Sequence, residues 1–223
     1  MHTQAIVLAG GRATRLGGAA KPALTGPDGR TALRRALDSC SRAGVGRVVV
    51  VGPPDLLADL LGPYQGRVSV TQEDPPWSGP ARGIAAGLAC LAQAPPLDPT
   101  ADEAPGSGPG QDAPGGGVLV LACDMPDAAP AVLALVRAGL TGDGRVAQAD
   151  GRRQWLLGLY RLDALAAACS RLPRPAPGLP DPSVRELLDG LDLTDLPVAD
   201  GTADDLDTQA DLVRLRFSFP LSR

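Results

Sequence analysis

Three observations predict an α/β domain built on a mostly parallel sheet with helices on both faces. Short runs at 5–9 (AIVLA), 48–51 (VVVV) and 118–123 (VLVLAC) are almost continuously apolar, as expected for strands covered on both sides. Segments with apolar residues at helical spacing lie between them, so strands and helices alternate. The first and last of these runs end on a glycine-rich loop and on Asp124, and ligands of such sheets bind outside the carboxyl ends of the strands.

The first strand breaks at Gly10-Gly11 into a long loop carrying Arg12, Arg15, Gly17, Gly18 and Lys21. Glycines let backbone N–H groups close on an anion, and Arg and Lys add charge, so the loop reads as a phosphate cradle. It is neither a Walker loop, which needs GxxxxGK[ST], nor a dinucleotide fingerprint, which leads directly into a helix. Lys21 is the only lysine among 21 basic residues, which suggests a specific demand for a compact ammonium. The alternative is a glycine turn with solvated charges.

Ala32, Leu33, Ala36, Leu37 and Cys40 then mark a helix, with Thr31 to cap it and Gly44 to stop it. The strand at 48–51 completes a β-α-β unit. PDLLADLL supplies a short helix, RVSVTQ a third strand and EDPPWSGP a polar loop, before a helix whose buried face is Ile84, Ala85, Leu88, Leu91 and Ala92. Residues 94–117 contain almost nothing that could be buried and are expected to be a disordered insertion. After VLVLACDMP, a helix runs through Val132, Leu133 and Val136. RVAQADGRRQWLLGLYR reads as a hairpin turning at Asp150-Gly151. A helix around Leu165, a proline-rich connection, a helix at 183–188, a strand at 196–198, the acidic DDLD and a helix from Thr208 to about Arg216 close the chain. Strands on both sides of the insertion are needed for one sheet, so 1–223 is expected to form a single three-layer domain of the Rossmann-like kind.

Composition narrows the function. With 44% hydrophobic but only 3% aromatic residues, the core must be built from Ala, Val and Leu. A net charge of −4 and a pI near 5.0 argue against nucleic-acid binding. Cys40, Cys90, Cys123 and Cys169 form no CxxC pair and are expected to be reduced, buried and inert. His2 is the only histidine, which weighs against Ser-His-Asp and Cys-His chemistry and histidine metal sites. No apolar run approaches the ~18 residues of a membrane helix, and a cytoplasmic protein without membrane contact is expected.

Asp124, at a strand exit, presents a hard oxygen suited to Mg²⁺, although an Asp before Pro126 can simply begin a turn. Asp205 and Asp207 lie on one side of an extended segment across Leu206. Asp207 reads as a second metal contact or as the cap of the last helix, and Asp205 is left open.

The stretch LAGGRATRLGGAAK resembles the signature loop of the MobA-like nucleotidyltransferases, whose best-known members attach GMP to molybdopterin. Gly10, Gly11, Arg15, Gly17 and Lys21 match the family pattern, and Ala20 stands where an Asp is usual. CDMP is similar to the family segment whose Asp binds metal, and the family has paired Asn or Asp where Asp205 and Asp207 occur. Trp77 to Gly83 resembles a segment that approaches the nucleotide base, with Arg82 replacing a small residue. RRQWLLGLYR resembles the strand where the acceptor is met, with Gln154-Trp155 in place of the usual His/Gln-Pro. The resemblance implies nucleotide contacts from Leu8, Ala9, Gly10, Gly11, Arg15, Lys21, Gly79, Pro80 and Gly83. It also implies catalytic roles for Arg15, Lys21 and Asp124, and a Mg²⁺ held by Asp124 and Asp207. The implied reaction moves a nucleoside monophosphate from an NTP, GTP by resemblance, to a phosphorylated small molecule, molybdopterin, with transient contact to molybdenum cofactor insertion proteins. Cytidylyl transfer to the same pterin, guanylyl transfer to another small phosphate, and a nucleotide-binding paralogue without turnover stand as alternatives.

Overall fold

The computed structural model describes residues 2–10, 20–93, 116–175 and 181–219. Seven strands form one sheet: β1 (Thr3–Leu8), β2 (Arg47–Val51), β3 (Ser69–Thr71), β4 (Gly117–Ala122), β5 (Gly144–Ala149), β6 (Arg152–Arg161) and β7 (Leu193–Pro197). Their order is β3-β2-β1-β4-β6-β5-β7. Only β6 runs antiparallel to its neighbours β4 and β5, and the other pairings are parallel.

Helices α1 (Ala32–Arg42), α2 (Pro54–Ala58) and α4 (Ala129–Ala138) cover one face, packing on Ala5, Val7, Leu119, Leu121, Leu157 and Leu159. Helices α3 (Gly79–Gln93), α5 (Leu162–Ser170) and α6 (Val184–Leu188) cover the other, against Ile6, Leu8, Val49, Val118 and Val120. The strand period of two thus divides β1 and β4 between two cores, as near-continuous apolar runs require. A third, smaller core joins Leu24, Ala32, Leu206, Leu212 and Phe217, where α7 (Gln209–Leu215) meets the segment after Lys21.

Thr31 caps α1 by accepting the Arg34 N–H, and Gly44 follows its end with φ +73°. Asp150 and Gly151 both have positive φ, as a primed hairpin turn demands. Three expectations need correction. β3 is only Ser69–Thr71, because the Arg67 N–H is used in a turn to the Tyr64 carbonyl. The β7 strand begins earlier than 196, at Leu193. The expected insertion was drawn too long: 94–115 lies outside the described residues, but Gly117 opens β4 and the Gly116 carbonyl accepts the Leu162 N–H. Of the four cysteines, all unpaired, Cys40 and Cys123 are buried, whereas Cys90 and Cys169 are only half-buried. Burial pushes the Cys40 thiol up to about 12 and the Cys169 thiol to about 11, so both are protonated at neutral pH. No helix among the described residues is long and apolar enough to cross a membrane.

Candidate active site

The carboxyl ends of β1, β2 and β4 are tied together by backbone bonds. The Ala9 N–H donates to the Val51 carbonyl and the Cys123 N–H to the Leu8 carbonyl, while the Gly52 N–H reaches Thr71 on β3. A cleft of ≈ 320 Å³ opens above these ends. Its lining includes Leu8, Gly10, Lys21, Gly79, Pro80, Gly83 and Asp124, which brings together most residues expected at a nucleotide site. Gly11 and Arg15 lie outside the described residues. Ala9 does not line the cleft: its side chain is buried in the core beneath α1.

Lys21 opens a short 3₁₀ turn, Lys21–Ala23, at the cleft wall. Ala20 precedes it with no side chain to cap that turn, a contact that an Asp at this position could make. The Lys21 ammonium donates to Asp124 Oδ2 at 2.8 Å and also to Asp207 Oδ1. Burial works against the charged ammonium, but Asp124 and then Asp207 outweigh it, so the Lys21 pKa is raised and the group is fully charged at neutral pH.

The two aspartates come from distant parts of the chain. Asp124 lies just past the end of β4, after Cys123, and its backbone carbonyl accepts the Leu206 N–H at 3.0 Å. Leu206 is fully buried in the third core, which turns its neighbours away from that core, and Asp207 reaches Lys21 beside the β4 exit. The cap of α7 is Thr208, whose hydroxyl accepts the Asp211 N–H while Asp211 returns a bond to the Thr208 N–H. The capping alternative for Asp207 therefore falls, and its carboxylate is left to Lys21. Burial, with Asp207 and Asp124 nearby, pushes the Asp205 carboxyl up.

Two hard carboxylates converging on one positive centre form a donor set that fits Mg²⁺. Among the described residues no three His, Cys, Asp or Glu side chains form a complete cage, so a dication here would draw further ligands from substrate phosphates and water.

The wall that carries Gly79 to Gly83 differs in part from expectation. Gly83 lies within α3, where an added Cβ would stand 3.1 Å from Leu8 Cδ2, so its smallness lets the helix approach β1 at the cleft floor. Arg82 turns away from the cleft, pairing with Asp181 at 2.6 Å and with the Pro173 carbonyl. On β6, Leu156 reaches the cleft, while Trp155 packs on the core beneath α3, α5 and α6, with the Arg153 guanidinium over its ring.

Two residues at the site were missed. Glu73 lines the cleft and its Oε1 accepts the Trp77 N–H at 3.0 Å. It follows β3 closely, so the rule that singled out Asp124, a carboxylate at a strand exit, would also have found it. Gly52 follows β2 where a Cβ would stand 2.9 Å from the Ala9 backbone, a proximity that no local pattern reveals.

This constellation agrees with the comparison to known families, in which residues 5–191 match the MobA-like NTP transferase domain. The chain belongs to that family. Family membership carries nucleotidyl transfer, from a nucleoside triphosphate, as the activity class. Solved structures share the fold at low identity. A nucleotidyl transferase from Methanothermobacter thermautotroptrophicus superposes with a TM-score of 0.66 at 18% identity, covering 96% of each chain. Rv0371C from Mycobacterium tuberculosis, in complex with manganese, gives 0.63 at 19% identity over 96% of this chain and 98% of that one. The 4-diphosphocytidyl-2C-methyl-D-erythritol synthase from Anaerococcus prevotii gives 0.63 at 14% identity over 96% of each. No curated protein sequence matches the chain.

Proposed function

We propose that this nucleotidyltransferase moves GMP from GTP to the phosphate of a small acceptor, molybdopterin, with release of pyrophosphate and with Mg²⁺ as its metal. The observation that carries the reading is the Lys21 ammonium held between Asp124 and Asp207 at the rim of a cleft over the strand ends. The choice of GTP and of molybdopterin rests on the motif resemblance of the glycine loop and of CDMP.

An acceptor phosphate oxygen attacks the α-phosphorus of the NTP, the new P–O bond forms, and the bond to the β-phosphate oxygen breaks in line. A phosphate monoester with a second pKa near ~6 is already mostly dianionic at neutral pH, so no general base is needed, in keeping with a chain whose single histidine is His2. Catalysis of this kind depends on positioning and charge neutralisation. Lys21 supplies a fixed positive charge toward the triphosphate, released from its aspartates as anionic substrate enters. Asp124 and Asp207 would hold Mg²⁺, which when bound neutralises charge developing on the phosphate oxygens. Gly10 and Gly79 line the cleft with backbone and little side chain, and Leu156 closes it from β6.

The test is pyrophosphate release with each of the NTPs, with and without molybdopterin, in the presence of Mg²⁺. Release with GTP and molybdopterin is expected. Release with CTP alone among the NTPs would change the nucleotide, and no release with any NTP and this acceptor would refute the reaction.

A further inference from the structure

β6 departs from a regular strand where it reaches the cleft. Leu157 still pairs with Leu121 of β4, but the ladder with β5 jumps from the pair Val146–Gly158 to the pair Ala147–Gln154, so residues 155–157 bulge out of that pairing. Alternation would send Trp155 to the face of Leu157 and Leu159, under α1, α2 and α4. Instead it packs on the core beneath α3, α5 and α6. Leu156, one position beyond the last β4–β6 pair, lines the cleft together with Ala122, Cys123 and Asp124, and packs against both large cores. Bulges recur beside active sites because they re-aim a side chain.

Two residues hold this bulge. Tyr160 is fully buried, and its hydroxyl donates to the Trp155 carbonyl at 2.7 Å, five residues back along its own strand. Gly158 lies in between, where a Cβ would stand 2.7 Å from the Tyr160 hydroxyl oxygen, so the missing side chain is what lets the phenol cross. The bond fixes the path of the main chain just before Leu156.

What the bulge delivers is an apolar side chain beside charged groups. Lys21 and Asp124 line the same cleft, so phosphates drawn to Lys21 share it with Leu156. A leucine neither donates nor accepts a hydrogen bond, and its effect lies in what it keeps out. Nucleotidyl transfer faces one competing reaction: a water oxygen attacks the α-phosphorus in place of the acceptor oxygen, the bond to the β-phosphate oxygen breaks, and nucleoside monophosphate, pyrophosphate and a proton are released. An apolar wall expels water from the reacting centre and strengthens the charge interactions within it.

We infer that Leu156 is the residue that keeps water from the α-phosphorus, so that the acceptor and not water takes the nucleotide, and that Tyr160, with Gly158, is the positioning residue that holds Leu156 in place. The inference rests on the nucleotidyl-transfer reading above and adds to it control over which nucleophile reacts.

The experiment measures nucleoside monophosphate formed without acceptor from each NTP that the parent binds, alongside calorimetry of that NTP and thermal melting. Hydrolysis by the parent should be slow. Leu156→Ala should bind the NTP as the parent does and hydrolyse it roughly tenfold faster. Leu156→Met, which nearly conserves volume, should stay close to the parent. Tyr160→Phe keeps the ring but loses the bond to the Trp155 carbonyl, and should raise hydrolysis by a smaller factor. The double variant Tyr160→Phe/Leu156→Ala should hydrolyse no faster than Leu156→Ala, while its melting temperature carries both losses. Equal hydrolysis by Leu156→Ala and parent, each with NTP bound, would overturn the water-excluding role and leave nucleotidyl transfer standing. Factors that multiply in the double variant would overturn the action of Tyr160 through Leu156, as would a crystal structure of Tyr160→Phe with Leu156 unmoved at the cleft. A parent that binds no NTP would overturn both readings.

Discussion

Replacing Lys21 tests the site at its centre, because the structure assigns its ammonium two partners at once. With Lys21→Ala, Asp124 and Asp207 lose their shared cation and face one another, with Asp205 nearby. The Lys21 side chain is only 17% exposed, Asp124 20% and Asp207 42%, so the second pair is the more strongly screened by solvent. Allowing for that screening, each pair contributes roughly 0.5–1 kcal/mol, and Lys21→Ala should cost about 1–2 kcal/mol of stability. For a chain of this size that is a fall in melting temperature of roughly 2–8 °C. Turnover should suffer more, since a lost transition-state charge contact costs about 2–4 kcal/mol, or about 10²- to 10³-fold in rate. Lys21→Arg keeps the charge, but its wide planar head should fit poorly between two carboxylates placed around a compact ammonium, giving an intermediate rate. Mg²⁺ should recover melting temperature in Lys21→Ala, where a dication can take the place between the carboxylates, without restoring turnover. Pyrophosphate release and thermal melting of the three proteins with and without Mg²⁺ measure all of this. Equal rates for Lys, Arg and Ala would refute the reasoning.

Asp124→Asn should abolish pyrophosphate release while changing melting temperature little, and comparable rates at saturating Mg²⁺ would remove Asp124 from the site. Gly52→Ala should destabilise by about 1–3 kcal/mol and weaken GTP binding, because its Cβ would press at 2.9 Å on Ala9 backbone that cannot rotate away; melting and calorimetry would show it, and a neutral outcome would mean β1 and β2 can part without cost. Burial pushes the Asp38 carboxyl up, but hydrogen bonds from Arg30, Arg34 and Tyr64 outweigh it and its pKa is lowered from 3.8. Its contribution to stability is therefore present above pH 3.8 and lost as pH falls through the lower folded value. Asp38→Asn should melt lower than the parent at neutral pH, with the gap closing in acid; a gap independent of pH would contradict the assignment.

The sheet and its two faces were legible because β1, β2 and β4 are continuous apolar runs and because Thr31 and Gly44 bracket α1 with recognisable caps. Lys21 and Asp124 were legible for a different reason: a lone lysine after glycines and an acid at a strand exit are local signals. Strand order was not, since the hairpin fixes that β5 and β6 pair but not that β6 inserts beside β4. Asp207 remained divided between two roles until Thr208 proved to be the cap. The direction of Arg82 depended on Asp181, about a hundred positions away in the chain, and the left-handed turn at Trp77 depends on the buried Glu73 carboxylate. Both are decided by tertiary contacts that spacing does not encode.

The small third core gives the site an uneven foundation. Lys21 opens the short turn that leads into Leu24 of that core, and Asp207 is anchored by Leu206 beside α7, a helix of seven residues that packs on Leu24, Ala32 and Phe217 rather than on either large core. Few apolar contacts hold that unit, so its opening free energy should lie well below that of β1 and β4. When α7 and its preceding loop detach, Asp207 leaves with them while Asp124 stays on the sheet. Such a local opening would separate the two carboxylates while leaving the strands intact. The Lys21–Asp207 contact then depends on the breathing of one short helix rather than on any movement of the sheet.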